Sequence, residues 1–341
     1  LGTIGLILIV LEGSLELEIN NSKISLISKS SVMALIPLLL ISFGLAFAFQ
    51  YWGNTSLKTA LTNAIPFAVI SSAIAIPSAQ NLPSKTKEFI TYESSLSDIF
   101  GVLFFNFIAL NKNIDNQSFI NFGVQLIITL LLTFIATISL AALLGKIKHH
   151  VKFTPIILIT ILIYSIAKVY HLPGLLFILI FGLFLGNIKK LQHSKIVRRL
   201  KPEILSNEIH KFKELTTELT FLIRALFFLL FGFLIEPIEL LNTATLAWSV
   251  SITFGIFILR FIFLNLFKIP SKSILYIAPR GLITILLFLS IPAEQTISVA
   301  NKSLVLQVII LSAFTMMFGL MLTKTENHEA DPATTEKNDS I

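Results

Sequence analysis

The chain has 341 residues, of which 55% are hydrophobic, 11% aromatic and only 13% charged. A soluble domain carries roughly 25% charged residues, so this composition, with 30 Phe and a mean hydropathy of +0.85, excludes an ordinary water-soluble globule and points to a polytopic membrane protein. The net charge of +7 could suit nucleic acid, but the basic residues lie in short loops between apolar runs; Cys is absent, which excludes disulfides and thiolate metal sites.

A backbone in lipid must satisfy its own hydrogen bonds, so each long apolar run reads as a helix. Eleven are predicted in chain order: 1–19, 33–52, 59–80, 89–110, 118–145, 153–170, 173–188, 214–236, 243–267, 273–291 and 303–323. The opening "LGTIGLILIVLEGSLELEI" has neither Met nor a charged n-region, so it is no signal peptide and reads as a chain entered partway. The polar tail 324–341 reads as disordered. No P-loop, GxGxxG or HExxH is present, so no enzyme and no cofactor is expected.

Lys and Arg fall mainly in alternate loops. One side holds Lys23, Lys29, Lys85, Lys87, Lys146, Lys148, Lys152, the cluster from Lys189 through Lys195, Arg198 and Arg199 to Lys201, Lys211, Lys213, Lys268 and Lys272; the other holds Lys58, Lys112, Lys168 and Lys302. The first side is thereby expected to be cytoplasmic, with the first span starting outside and the tail ending inside. Topology accounts for the basic charge, and no nucleic-acid partner is expected.

Six charges remain within the spans: Glu12, Glu93, Asp98, Arg224, Arg260 and Arg280. Such residues are costly in lipid and pair or mark an ion path. At 1.5 Å per residue Asp98 lies about 14 Å deep, Glu93 about 6 Å, Glu12 and Arg280 about 10 Å and Arg224 roughly 10–15 Å. Charges from several helices thus share one layer. Ser94 and Asp98, four residues apart, share a helix face and form an oxygen pair suited to a hard monovalent cation or a proton. Glu93 lies about 140° around the helix from Asp98. It is expected in a structural ion pair, with Arg280 as partner by depth and sign. Arg260 is expected to snorkel. Arg224 reads either as a stabilising counter-charge or as part of the site, and Glu12 as either interfacial or part of the layer. Pro77 in "VISSAIAIPSAQ" and Pro279 in "YIAPRGLITI" interrupt two spans in opposite halves, the mark of secondary transporters whose ion sites lie between broken helices.

With these segments in view, the chain resembles the monovalent cation/proton antiporters of the sodium/hydrogen exchanger family, bacterial type. "LIVLEGSLEL", "SSAIAIPSAQNL", "YESSLSDIFGVLFF", "LIRALFFLLFGFLI", "RFIFLNLF" and "APRGLITILLFLSIP" look like family motifs in the family's order along the whole chain. The resemblance implies an all-α membrane protein with inverted repeats and two crossed broken helices, here lacking the family's first two helices. Residues 1–323 would form the antiporter domain: core helices 33–110 and 243–323, dimer-scaffold helices 1–19 and 153–236, and a connecting helix 118–145. Asp98 would bind cation and proton in competition, with Ser94 and Glu12 adding oxygens. Glu93 and Arg280 would be the core ion pair, and Arg224 the basic residue of the family's tenth helix. Two motif positions depart. The Thr-Asp-Pro site reads Ala75-Ile76-Pro77, where Ser71, Ser72 or Ser78 would substitute, and Ser97 stands for the Asn before the key Asp. A homodimer in a bacterial inner membrane is implied, exchanging Na+, or else K+ or Li+, for H+ electroneutrally, with no other metal. The rival readings are a cation channel and a transport-inactive fragment.

Overall fold

The computed structural model describes residues 2–19, 23–111, 115–147, 153–170, 172, 174–193, 197–198, 200, 202–233, 236–269 and 272–329. The topological roles of Lys112, Lys148, Lys152, Lys195, Arg199 and Lys201, and the tail from 330 to 341, lie outside the described residues.

The described residues form helices with no strand: α1 (Gly2–Glu16), α2 (Ile24–Gly53), α3 (Leu57–Ala68), α4 (Ser72–Ser78), α5 (Ser84–Leu110), α6 (Asn116–Lys146), α7 (Phe153–Val169), α8 (Gly174–Gly186), α9 (Pro202–Phe233), α10 (Pro237–Leu240), α11 (Thr243–Leu266), α12 (Lys272–Tyr276), α13 (Leu282–Leu289) and α14 (Lys302–Glu329). Every predicted run is present as a helix, and two runs are split, into α3–α4 and α12–α13. By length and composition, α2, α3–α4, α6, α11 and α14 can each cross a bilayer, and α7 and α8 are shorter apolar helices. One face of α6 leaves Leu131, Phe134 and Ile135 exposed, as lipid allows and water would not.

Three helices start well before hydropathy suggests, α5 by five residues at Ser84 and two others by more. α9 begins at Pro202, which suits a first helical position. Its polar first half is amphipathic: Leu205, Ile209, Phe212 and Thr216 are buried at helical spacing among Lys and Glu. α2 likewise begins at Ile24, in a stretch too rich in Ser and Lys to read as apolar. Side chains satisfy the free N–H groups at other starts. Ser56 accepts from Thr59 at 3.2 Å, Asp115 from Ser118 at 2.8 Å and Asn242 from Ala244 at 3.1 Å.

α1 is central, packed on α8 and α9 and touching α4, α5 and α13. It meets α8 backbone to backbone because α8 offers glycine there. A Cβ on Gly182 would collide with Ser14, and one on Gly186 would lie 2.6 Å from the Leu15 carbonyl oxygen. Small residues of this kind let membrane helices approach closely. Asn187 then closes the end of α1, accepting from the Ile19 N–H at 2.7 Å and donating to the Leu17 carbonyl at 2.8 Å. α2 packs on α3 and α5, and α11 on α14.

Gly182→Val should overpack the α1–α8 contact and cost about 1–3 kcal/mol, read as a lowered melting temperature in detergent. Gly123→Ala, where an added Cβ meets nothing within 4 Å, should stay within about 0.5 kcal/mol of the parent.

Candidate functional site

The two split helices cross at their breaks. α3 stops at Ala68, and Val69 and Ser71 take extended backbone angles (φ −80°, ψ 130° and φ −80°, ψ 111°) before α4 begins. The second break, residues 277–281, contains Pro279, which lacks an N–H and disfavours helix in the residue before it. The Ser71 N–H donates to the Pro279 carbonyl at 2.9 Å, which joins the breaks directly. Gly281 permits the approach: a Cβ there would lie 2.7 Å from Ile74 and 3.0 Å from Ser71 Oγ.

Each break frees backbone groups that lipid cannot satisfy, and side chains meet them. Ser97 Oγ accepts the Ile70 N–H at 3.0 Å, and Ser312 Oγ accepts the Arg280 N–H at 3.0 Å. The Arg280 guanidinium, 1% exposed, donates to the carbonyls of Phe67 at 2.7 Å, Ala68 at 3.2 Å and Ala278 at 2.8 Å. It thus caps the C-terminal end of α3, where free carbonyls and the helix dipole favour a cation.

This corrects the expected Glu93–Arg280 pair. Glu93 is held instead by Arg260, with Nη1 to Oε1 at 2.7 Å and Nη2 to Oε2 at 2.8 Å, a bidentate pair at 1% and 4% exposure. Arg260 Nε also donates to the Ile274 carbonyl at 2.9 Å, so one guanidinium ties α11 to α5 and α12. Arg260 therefore does not snorkel. Depth and sign fitted both arginines, and the α3 carbonyls already occupy Arg280. The expected break at Pro77 is also corrected: Pro77 lies in the last turn of α4, and the chain unwinds earlier, at 69–71.

Asp98 lies beside this crossing, 2% exposed. The Ser72 hydroxyl, at the start of α4, donates to its Oδ2. Among the described residues Asp98 Oδ1 has no hydrogen-bond partner, and neither has Ser71 Oγ. Ser72 was one of the substitutes named for the missing family ligand. Ser94 is buried but gives its proton to the Ile90 carbonyl at 2.7 Å; no hydrogen bond among the described residues links it to Asp98. Glu12 accepts from Arg224 Nη2 at 2.8 Å, each side chain about one-sixth exposed. The structure therefore engages Glu12 with Arg224 instead of leaving it open. Next to it, Gly13 brings α1 against α5: a Cβ there would lie 2.9 Å from Ser95 Oγ.

Two turns below Asp98 on α5, Thr91 borders a cavity of about 260 Å³, lined also by Glu16, Glu18, Lys23, Lys87, Glu88 and Lys213. Lys23 bridges Glu88 at 3.0 Å and Glu18 at 3.4 Å, and Lys190 reaches Glu18 at 3.0 Å. The Lys190 hydrogen bond holds the Glu18 carboxyl below the usual carboxylate range, and the Glu88 hydrogen bond holds the Lys23 ammonium above its own.

The sequence pattern of the sodium/hydrogen exchanger transmembrane family matches residues 1–324. The chain belongs to the sodium/hydrogen exchanger family. Exchangers of this family are membrane transporters and not enzymes, and the all-α fold agrees. Among solved structures it is similar to the sodium proton antiporter MjNhaP1 from Methanocaldococcus jannaschii. The structure of that antiporter at pH 8 matches with a TM-score of 0.61 at 18% identity, over 96% of this chain and 83% of the other. Its electron-microscopy structure matches at 0.65 and 17%, over 96% and 82%. These likenesses show the shared antiporter fold. Comparison with curated protein sequences returns no match.

Breaking the Glu93–Arg260 pair from either side should cost about 3–5 kcal/mol, since it strands a buried charge. A double-mutant cycle of Glu93→Gln with Arg260→Met, read from unfolding in detergent, should show larger coupling than the cycle with Arg280→Met. Equal coupling would restore Arg280 as the partner.

Proposed function

We propose that this exchanger moves a monovalent cation, Na+ in the first place, against H+ by alternating access, with Asp98 as the carboxylate both ions share. The observation that carries this reading is a buried carboxylate with one open oxygen, held through its other oxygen by Ser72, where two broken helices cross and the neighbouring Ser71 Oγ is also open. Deprotonated, Asp98 offers a hard anionic oxygen to an alkali cation, and Ser71 and nearby carbonyls can complete an oxygen shell. A proton on the same carboxyl removes the charge that holds the cation, so the two exclude each other.

Obligatory exchange follows from the cost of burial. A bare carboxylate taken through a low-dielectric barrier costs several kcal/mol, so the empty site stays where water reaches it. Either ion neutralises the single charge, which makes the exchange one-for-one and electroneutral. In this reading Ser72 orients the carboxylate, Ser97 and Arg280 fix the unwound backbone, and the Glu93–Arg260 pair holds α5 to α11. Ser94 and Glu12 remain secondary ligands, Glu12 on leaving Arg224. The cavity below Thr91 gives access from the lysine-rich side, read as cytoplasmic in a bacterial inner membrane. Helices of 33–110 and 243–323 move against those of 1–19 and 153–236, the latter paired with a second copy.

Proton movement driven by Na+, K+ or Li+ should be measured in proteoliposomes. The parent chain should exchange without regard to an imposed membrane potential, and Asp98→Asn should be silent. The parent's apparent KM for cation should rise by up to about tenfold for each pH unit of acidification below the carboxyl's titration, as simple competition requires. Ser72→Ala should remain active with weaker cation affinity. Exchange that survives Asp98→Asn would place the site elsewhere, and current far above carrier turnover would make the protein a channel.

A further inference from the structure

A second cavity, of about 460 Å³, opens where α5 and α7 end and α8 begins, between α1, α5, α7, α8 and α13. That volume lies within the roughly 300–1,000 Å³ of small-molecule sites. Its deeper wall is apolar, made by Leu6, Leu103, Leu175 and Leu286. Its rim carries Asn106, Tyr164 and Lys168. No hydrogen bond or ion pair among the described residues engages these three side chains. Lys168 is exposed and Tyr164 and Asn106 are half-buried, so their polar groups are open to a ligand at the cavity mouth.

The chemistry of the rim selects the ligand. Lys168 supplies a full positive charge and three donors, Tyr164 a hydroxyl one turn deeper on α7, and Asn106 an amide from α5. Lys168 is the one charged residue lining the cavity among the described residues. It attracts an anion, and an ammonium–carboxylate or ammonium–phosphate hydrogen bond is of the strong, charge-assisted kind. Lys168 stands in the last turn of α7, at the edge of the apolar span. A polar head at the rim and hydrocarbon inside match that layout.

We propose that this cavity binds an anionic amphiphile, one acyl chain lying against the leucine wall and the carboxylate or phosphate head on Lys168 and Tyr164. Binding is independent of whether the chain transports. The test is photo-labelling of the purified protein with a diazirine-bearing palmitate, the modified peptides being mapped by mass spectrometry. Parallel arms use the matching long-chain alcohol and a phosphatidylglycerol carrying the same diazirine chain. An anionic probe should saturably label the segments 102–109 and 164–175, with unlabelled palmitate or phosphatidylglycerol competing. Lys168→Gln should cut that labelling by about tenfold, the loss of one charge-assisted contact, and Lys168→Arg should retain it. Labelling by the phospholipid alone would name the bilayer as the source, and labelling by palmitate would name a free fatty acid. The proposal is overturned if the alcohol labels as well as the anions, if Lys168→Gln changes nothing, or if label spreads over the exposed face of α6, as ordinary bilayer contact would give.

Discussion

Every N–H and C=O left unpaired in a lipid interior must find a partner within the protein, and among the described residues this bundle has two places where a helix stops halfway. The structure around those stops is an answer to that requirement. The Ser71 N–H meets the Pro279 carbonyl, the Ile70 N–H meets Ser97, and the carbonyls ending α3 meet Arg280. Each contact joins elements distant in sequence, so the crossing can exist only in the assembled bundle. Serine, arginine and backbone groups serve both breaks, with no carboxylate bonded to the unwound backbone among the described residues.

Buried charge is then sorted into what holds the structure and what remains available. Glu93 and Arg260 neutralise one another in a bidentate pair, and Arg280 is consumed by carbonyls. Glu12 and Arg224 form a separate pair between α1 and α9. Asp98 is a buried acid with no ion-pair partner among the described residues, held by Ser72 alone and with its Oδ1 unpartnered. In the proposed exchange that open oxygen is the one offered to a cation or a proton. Stability and site geometry thus depend on the same few hydrogen bonds.

Much of this was legible in the sequence, and the failures have physical reasons. Hydropathy located every span, because lipid imposes a length and a composition on each. It missed the first turns of α2, α5 and α9, where polar residues outside the apolar layer continue the helix. The break at Pro279 was legible because proline carries it locally. The other was placed at Pro77 and lies at Val69–Ser71, since nothing in Val-Ile-Ser forbids a helix and the interruption is imposed by Ser97 and Pro279. Asp98 stood out as a charge without a neighbour of opposite sign. Its partner did not: four-residue spacing pointed to Ser94 on the same helix, whereas the hydroxyl that reaches it comes from Ser72 on another. Choosing between Arg260 and Arg280 required knowing which arginine the α3 carbonyls would claim.

The most direct test of the central claim is the number of protons released per cation bound by the detergent-purified protein in weakly buffered solution. One shared carboxylate predicts one proton released for each Na+ bound near the carboxyl's titration, and neither release nor binding in Asp98→Asn. Cation binding without proton release, or release that persists in Asp98→Asn, would contradict a single site at Asp98.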